Sequence, residues 1–257
     1  MLRELFDLSG RAALVTGGSK GIGKAIARGL AEAGADVAIC SRHENELKTA
    51  AAEITEGLKA RCEYRVTDML DRGAVKDLAK WAESTLGRVD IVVNNAGSNQ
   101  PQPLVETTDE AWDRIVELNL TSCMALSREL APGMIERKWG RILHLSSIMA
   151  LASNPARGCY SATKAALIGM SRAHALELGP YGITVNCLAP GPIMTDLPMS
   201  LLTDAQKKRF EELTAVKRWG QTIDMVGPAL MLLSPAGAYI TGTVILADGG
   251  LICRTFD

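Results

Sequence analysis

Thr16-Gly17-Gly18-Ser19-Lys20-Gly21-Ile22-Gly23 is the stretch on which the fold turns. An apolar run, 12–16, leads into it, and a helical pattern over 22–33 leaves it and stops at Gly34. A strand, a glycine turn and a helix in that order form the context of a dinucleotide-binding crossover. Glycines let the backbone turn sharply and approach a pyrophosphate, whose charge is met by the free amides at the helix N-terminus. Glycine-rich turns also arise for steric reasons alone, so the flanking elements, and not the glycines, carry the reading.

Outward from the turn, strands and helices alternate. Strands are expected near 36–40, 61–66, 89–93, 141–145, 183–188 and 243–246, seven with the first. Helices are expected over 44–56, 71–86, 109–135, 160–178 and 223–233, by length and apolar spacing. Near-continuously apolar strands such as Ile91-Val92-Val93 suit a parallel sheet covered on both faces. The expectation is an α/β, doubly wound Rossmann fold with a seven-stranded parallel sheet. No repeat or linker interrupts the 257 residues, so 1–257 reads as one domain. The irregular segment 190–216, with Pro190, Pro192 and Pro198, reads as a mobile lid over a site.

The end of the second expected strand selects among dinucleotides. An acidic residue there would bond the adenosine ribose hydroxyls; here the strand ends Cys40-Ser41-Arg42. With no carboxylate at the strand end, Arg42 can accept a 2′-phosphate, helped by Ser41 and by Lys20 from the glycine turn. NADP(H) is favoured over NAD(H).

Composition removes other classes. Lys plus Arg is 28 and Asp plus Glu is 29, a net charge of -1, so nothing draws the chain toward nucleic acid or an anionic membrane. The six cysteines show neither CxxC spacing nor a close cluster with His43, His144 or His174, and read as small buried hydrophobes without a metal. Without an export signal or a long apolar run, a cytoplasmic protein is expected.

The chain resembles the short-chain dehydrogenase/reductase family over essentially its whole length. The residues that carry the resemblance are Thr16 to Gly23, Asp68, Asn94-Asn95-Ala96-Gly97, Asn119, Ser147, Tyr160-Ser161-Ala162-Thr163-Lys164, Pro190-Gly191 and Asp248-Gly249-Gly250, all in family order. What the resemblance implies is an NADP(H)-dependent enzyme that interconverts a ketone and a secondary alcohol, with Asn119, Ser147, Tyr160 and Lys164 as its catalytic set.

Each implied role suits its residue. Tyr160 and Lys164, four apart, project from one helix face. An unassisted tyrosine holds its proton too tightly to trade it near neutrality, and a neighbouring ammonium favours the phenolate. Tyr160 would then be general acid in reduction and general base in oxidation. Ser147 would hydrogen-bond the substrate oxygen; Ser146 competes but should point the other way along an extended segment. Asn119 is awkward in a helix interior and would hold a water leading to Lys164.

The remaining matches imply cofactor contacts. Gly17, Ser19, Lys20, Gly21, Ile22 and Gly23 form the turn, with Ser41 and Arg42 beyond it. Asp68 would accept from the adenine amino group, with Met69 beside it, and Asn95, Ala96 and Gly97 would wall the ribose. Tyr160 and Lys164 would face the nicotinamide ribose. Pro190, Gly191, Ile193 and Thr195 would orient the nicotinamide.

The four tryptophans, Trp219 included, read as packing anchors. The substrate pocket is expected from 98–101, 148–159 and 191–216, including Asn99, Asn154, Met149, Met194 and Leu197. Arg157 either binds an anion or faces solvent, and solvent is preferred. Phe6-Asp7-Leu8-Ser9-Gly10 and Arg218-Trp219-Gly220 resemble members acting as gluconate 5-dehydrogenases, so a sugar acid or small keto compound leads. The alternative on the same scaffold is 3-oxoacyl-carrier-protein reduction, with Arg128 and Arg172 as docking cations. An alternative of another class is a nucleotide-sensing regulator that has lost catalysis. The resemblance also implies a homotetramer built on the two long helices.

Overall fold

The computed structural model of the chain describes residues 1–195, 199 and 202–253. Its centre is a seven-stranded sheet, parallel throughout, of β1 (Ala12–Thr16), β2 (Asp36–Ser41), β3 (Cys62–Val66), β4 (Ile91–Asn94), β5 (Gly140–Leu145), β6 (Ile183–Pro190) and β7 (Val244–Ala247). The order β3-β2-β1-β4-β5-β6-β7 reverses between β1 and β4. Beyond the carboxyl ends of strands at such a reversal a crevice opens, and ligands of doubly wound sheets bind there.

Alternation along the strands builds two cores. Ala13, Val15, Val37, Ile39, Ile91, Val93, Leu143 and Leu145 point to one face, where α2 (Gly21–Glu32), α3 (Glu44–Thr55) and a late helix, Val226–Leu233, cover them. Ala12, Leu14, Ala38, Cys40, Val92, Ile142 and Val185 point to the other, under α4 (Arg72–Leu86), α6 (Ser122–Arg137) and α7 (Gly158–Leu178). Each large apolar side chain buried this way contributes about 1.5–3 kcal/mol. Fixed chemistry sets helix ends: Asp71 accepts from the amides of Gly73 and Ala74 at the start of α4, and Gly87, at φ 78°, closes it.

Three features depart from the expected elements. A short helix, α1 (Leu2–Phe6), precedes β1. The expected single helix over 109–135 is α5 (Asp109–Val116), a π-helical turn (Glu117–Thr121) and α6. The expected irregular lid contains α8 (Asp204–Leu213), which begins with a capping box: the Gln206 amide donates to Thr203 Oγ1, and the Thr203 amide to Gln206 Oε1. Thr203-Asp204-Ala205-Gln206 is a legible helix start that the reading of 190–216 as irregular did not use. With α8 in place, Val226–Leu233 is α9. No helix among the described residues is long and apolar enough to cross a membrane.

Candidate active site

The glycine turn is built to admit nothing but backbone. Gly17 has φ 64°, and a Cβ there would sit 2.8 Å from Asn95 Nδ2; a Cβ on Gly23 would lie 2.4 Å from Gly17 O. Around it the ends of β1 and β4 are tied together. Thr16 Oγ1 accepts the amides of Asn95 and Ala96, each at 3.0 Å. Asn95 Nδ2 donates to Thr16 O at 2.8 Å and Gly17 O at 3.1 Å. Gly21, at φ 59°, and Gly23 thus open α2 at the crevice, and Ile22 lines the cavity there. A cradle that any Cβ would fill, at the N-terminus of a helix, fits a pyrophosphate.

Beyond the turn, Ser41 closes β2 and accepts the His43 amide at its Oγ, and Arg42 follows it, exposed. Here α3 supplies a carboxylate absent from the strand end. Glu46 accepts from Ser19 Oγ at 3.2 Å and pairs with Lys20 Nζ at 3.5 Å. Lys20 is therefore not a spare cation, though an ion pair this exposed is weak enough to be displaced. Arg42 makes no ion pair among the described residues. Asp68 is exposed, its Oδ1 held by the Leu70 amide at 3.0 Å. The side chain of Met69 is core, its sulfur 4.0 Å from Cys40 Sγ, so only its backbone faces outward chemistry.

The four residues of the expected catalytic set converge after β4, β5 and the start of α7. Tyr160 is the third residue of α7 and Lys164 lies one turn on, its Nζ 5.6 Å from the Tyr160 ring centroid. Lys164 is 5% exposed, and Nζ donates to Leu145 O at 2.6 Å. Ser146 and Ser147 part company: Ser146 Oγ donates to Lys164 O at 2.8 Å, whereas Ser147 Oγ accepts the Met149 amide at 3.1 Å and keeps its proton for the cavity. Asn119 is fully buried in the π turn. Its Oδ1 accepts from the Ser98 amide and its Nδ2 donates to Ser98 O, both at 2.9 Å. A Cβ on Gly97 would lie 3.1 Å from Asn119 Oδ1 and 3.5 Å from Lys164 Nζ, so the bare glycine lets both groups reach one point.

Nearby titratable groups are silenced. Burial, then the charges of His174 and Lys164, hold His144 down at about 3, so it is neutral. Burial also raises the Cys159 thiol beside Tyr160, which makes it a poor nucleophile. No group of three or more His, Cys, Asp or Glu among the described residues is placed to hold a metal ion.

The cavity between these elements measures about 340 Å³ and is lined by Asn95, Gly97, Ser147, Tyr160, Lys164, Pro190, Gly191, Ile193 and Thr195, among others. Ile193 pairs with Gly220, and Met194 N donates to Gly220 O at 2.8 Å. Two aromatic walls were not foreseen. Trp219, read as an anchor, is buried, donates from Nε1 to Lys207 O at 2.9 Å and meets Phe210 of α8 edge-on at 5.3 Å; both rings line the cavity. Arg157, expected in solvent, is half-buried in the same wall with Asn99, Asn154 and Met149. Leu197 falls outside the described residues.

Comparison with known proteins agrees with this geometry. A family model described as enoyl-(acyl carrier protein) reductase matches residues 17–252. Nodulation protein G of Rhizobium sp. (strain N33) is 40% identical over 250 residues, 96% of this chain and 99% of that protein. Gluconate 5-dehydrogenase of Gluconobacter oxydans (strain 621H) is 36% identical over 250 residues, 96% of this chain and 97% of that one. Among solved structures, a gluconate 5-dehydrogenase from Burkholderia cenocepacia J2315 in complex with NADP and tartrate has a TM-score of 0.93 at 33% identity, covering 99% of this chain and 100% of that one. A 3-oxoacyl (acyl-carrier-protein) reductase from Agrobacterium tumefaciens C58 with NADP bound has a TM-score of 0.92 at 32% identity, covering 97% of each. Matched along nearly all of its length, with the glycine turn and the Tyr160–Lys164 pair set on one cavity, the chain belongs to the short-chain dehydrogenase/reductase family.

Proposed function

We propose that this chain is an NADP(H)-dependent oxidoreductase that interconverts a ketone and a secondary alcohol, its substrate a sugar acid or a related small keto compound. The observation that carries the reading is the convergence of the Ser147 hydroxyl, the Tyr160 phenol and the Lys164 ammonium on one cavity, with Ile22 at the head of α2 on its wall. The turn from Gly17 to Gly23, together with Asn95 to Gly97, Pro190, Gly191, Ile193 and Thr195, would hold the dinucleotide; Ser41, Arg42, Asp68 and the Met69 backbone would take its adenosine end. When bound, the nicotinamide supplies or takes up the hydride.

The protein's own groups handle the oxygen. Tyr160 gives its proton to the carbonyl oxygen in reduction and takes it back in oxidation. The Lys164 ammonium is buried beside it, its Nζ 5.6 Å from the Tyr160 ring centroid. Ser147 donates to the same oxygen as negative charge grows there. Asn119 is assigned to the relay that returns a proton to Lys164 and Tyr160.

The same reading takes 1–257 as one domain with a lid at 190–216, working in the cytoplasm as a homotetramer. Six unpaired cysteines suit a reducing compartment. Apolar side chains stand exposed on the outer helices, Trp112 on α5 and Leu176 on α7 among them, and suit subunit contacts. Likeness to the Agrobacterium reductase supports 3-oxoacyl-carrier-protein reduction as the second reading. Of its docking cations, Arg128 already faces Glu129.

The test is NADPH and NADH oxidation by the purified protein against 5-ketogluconate, acetoacetyl thioesters, simple diketones and cyclic ketones. Turnover of the keto acid with NADPH is the expected result. Turnover of the thioesters alone selects the second reading, and NADPH binding without turnover of any carbonyl revives the sensor. In the same assay Arg42→Asp should move the NADPH/NADH preference toward NADH by about tenfold or more, the scale of a lost charge-assisted hydrogen bond; an unchanged ratio removes Arg42 from 2′-phosphate recognition.

A further inference from the structure

We propose that Arg157 is the residue that reads substrate charge, binding the carboxylate of an anionic polyhydroxy substrate while Asn99 accepts one of its hydroxyls. The proposal rests on the ketone–alcohol reading above for placing the substrate's carbonyl at Tyr160, and it names the substrate class of that site.

Three observations carry it. The first is the charge of the cavity wall. It contains two cations, Lys164 and Arg157, and no Asp or Glu among the described residues. Lys164 is engaged with Leu145 O and sits beside Tyr160. Arg157 has no ion-pair or side-chain hydrogen-bond partner among the described residues, and its position is half-buried. A guanidinium with no counter-ion raises the local concentration of anions and favours the one that can complete it. Its planar fork matches a carboxylate in two parallel hydrogen bonds.

The second observation is an orphaned acceptor on the facing loop. Asn99 Oδ1 is buried and has no hydrogen-bond partner among the described residues, although Asn99 lines the same cavity. A buried acceptor left unmade costs about 1–3 kcal/mol, so a ligand hydroxyl that donates to it gains affinity. An acceptor selects a donor, so the partner here is a hydroxyl and not a second carboxylate oxygen.

The third is how the two loops are held. The Gln102 amide donates to Ala156 O at 3.0 Å, tying the Asn99 loop to the Arg157 loop. Ala156 itself has φ 63°, a backbone conformation that non-glycine residues avoid. Arg157 follows at the N-cap of α7, three residues ahead of Tyr160. Arg157 and Tyr160 thus stand on neighbouring positions of the same cavity wall, at the head of one helix. An acyl thioester carries no carboxylate near its ketone, so this wall favours a sugar acid over the acyl-carrier alternative.

The test is binding, which does not depend on turnover. Tartrate and its uncharged counterpart threitol, which shares the 2,3-diol, are titrated calorimetrically into the full-length protein loaded with NADPH, which cannot oxidise either alcohol, as wild type, Arg157→Met and Arg157→Lys. Wild type should prefer tartrate by about tenfold or more, the scale of a charge-assisted hydrogen bond, and raising salt should shrink that preference. Arg157→Met should bring the two ligands within about twofold of each other, and Arg157→Lys should fall between, since an ammonium keeps the charge without the fork. NADPH affinity of each variant reports that it is folded. The proposal is overturned if wild type shows no tartrate preference, if the preference survives in Arg157→Met, or if tartrate and threitol weaken equally there, which would make Arg157 a wall and not a reader of charge. Wild-type turnover of the carbonyl panel with NADPH tests the underlying ketone reading separately: its absence with every carbonyl breaks that reading and leaves the binding result standing.

Discussion

The two ends of the sheet treat cations in opposite ways. At the amino end, Asp90 is fully buried and gathers Arg88 at 2.7 Å, Arg137 at 3.2 Å and Arg11 at 4.0 Å. Trp139 lies between Arg11 and Arg141, with guanidinium carbons 3.9 and 4.4 Å from its ring centroid. Arg141 donates to the carbonyls of Gly140, Gly182 and Ser234, and burial, with the nearby Arg11 charge, pulls it down to about 10. At the carboxyl end, Lys164 and Arg157 share a cavity wall that has no carboxylate among the described residues. Where charge is closed by protein groups it holds elements together; where it is left open it waits for a ligand. The contrast separates structural from functional cations by their partners and not by residue type.

Three substitutions can break or sharpen that contrast. The largest effect is expected at the open end, where Tyr160→Phe should lower turnover by roughly two to four orders of magnitude, the range of general acid–base catalysis. NADPH binding should persist; near-normal turnover would sink Tyr160 as the proton donor. At the closed end, Asp90→Asn leaves three guanidiniums without their shared counter-ion. Removing one partner of a fully buried pair costs about 3–5 kcal/mol. Since these arginines reach solvent, about 2–3 kcal/mol of unfolding free energy is expected here, read by denaturant melts, with kcat of the folded protein retained. A stability loss below about half a kcal/mol would mean that the cluster holds little together.

The smallest effect concerns a group between the ends. His144, depressed to about 3 when folded, titrates near its ordinary 6.5 when unfolded. Below that value the unfolded chain takes up a proton that the folded one refuses, so stability falls as pH falls from about 6.5 toward 3. His144→Gln offers Asn94 Nδ2 an acceptor, as His144 Nδ1 does at 3.1 Å, yet cannot be protonated. Between pH 7 and 5 wild type should lose about 1–2 kcal/mol more than the variant. Parallel stability–pH curves would show that His144 contributes nothing to acid sensitivity.

Much of the fold and of the candidate site was legible in the sequence, and the residues show why. Strands buried on both faces read as apolar runs, and β1, at Ala12–Thr16, matches the expected bounds. Tyr160 and Lys164 are a local pair whose helix spacing alone puts them on one face. Glu46 was invisible because it meets Ser19 from 27 residues away and from another helix. Trp219 and Phe210 form a wall only because α8 packs against Trp219, whose indole donates to Lys207 O, and the capping signal that starts α8 had not been read. Asn119 could be flagged as misplaced in a helix, but the π turn that buries it follows from its bonds to Ser98, 21 residues earlier.

By itself, the sequence determined the doubly wound sheet, the glycine turn at its first crossover and the Tyr160–Lys164 pair. These depend on the period of apolar residues, on backbone freedom at glycine and on the pitch of a helix, all of which are local in the chain. Only the tertiary structure decided that Glu46 covers Lys20, that Asp90 closes one set of arginines and that Arg157 stands in the cavity wall with no counter-ion among the described residues. Whether a charge is paired depends on which distant segments the fold packs around it, and nothing within a few residues of a cation carries that information.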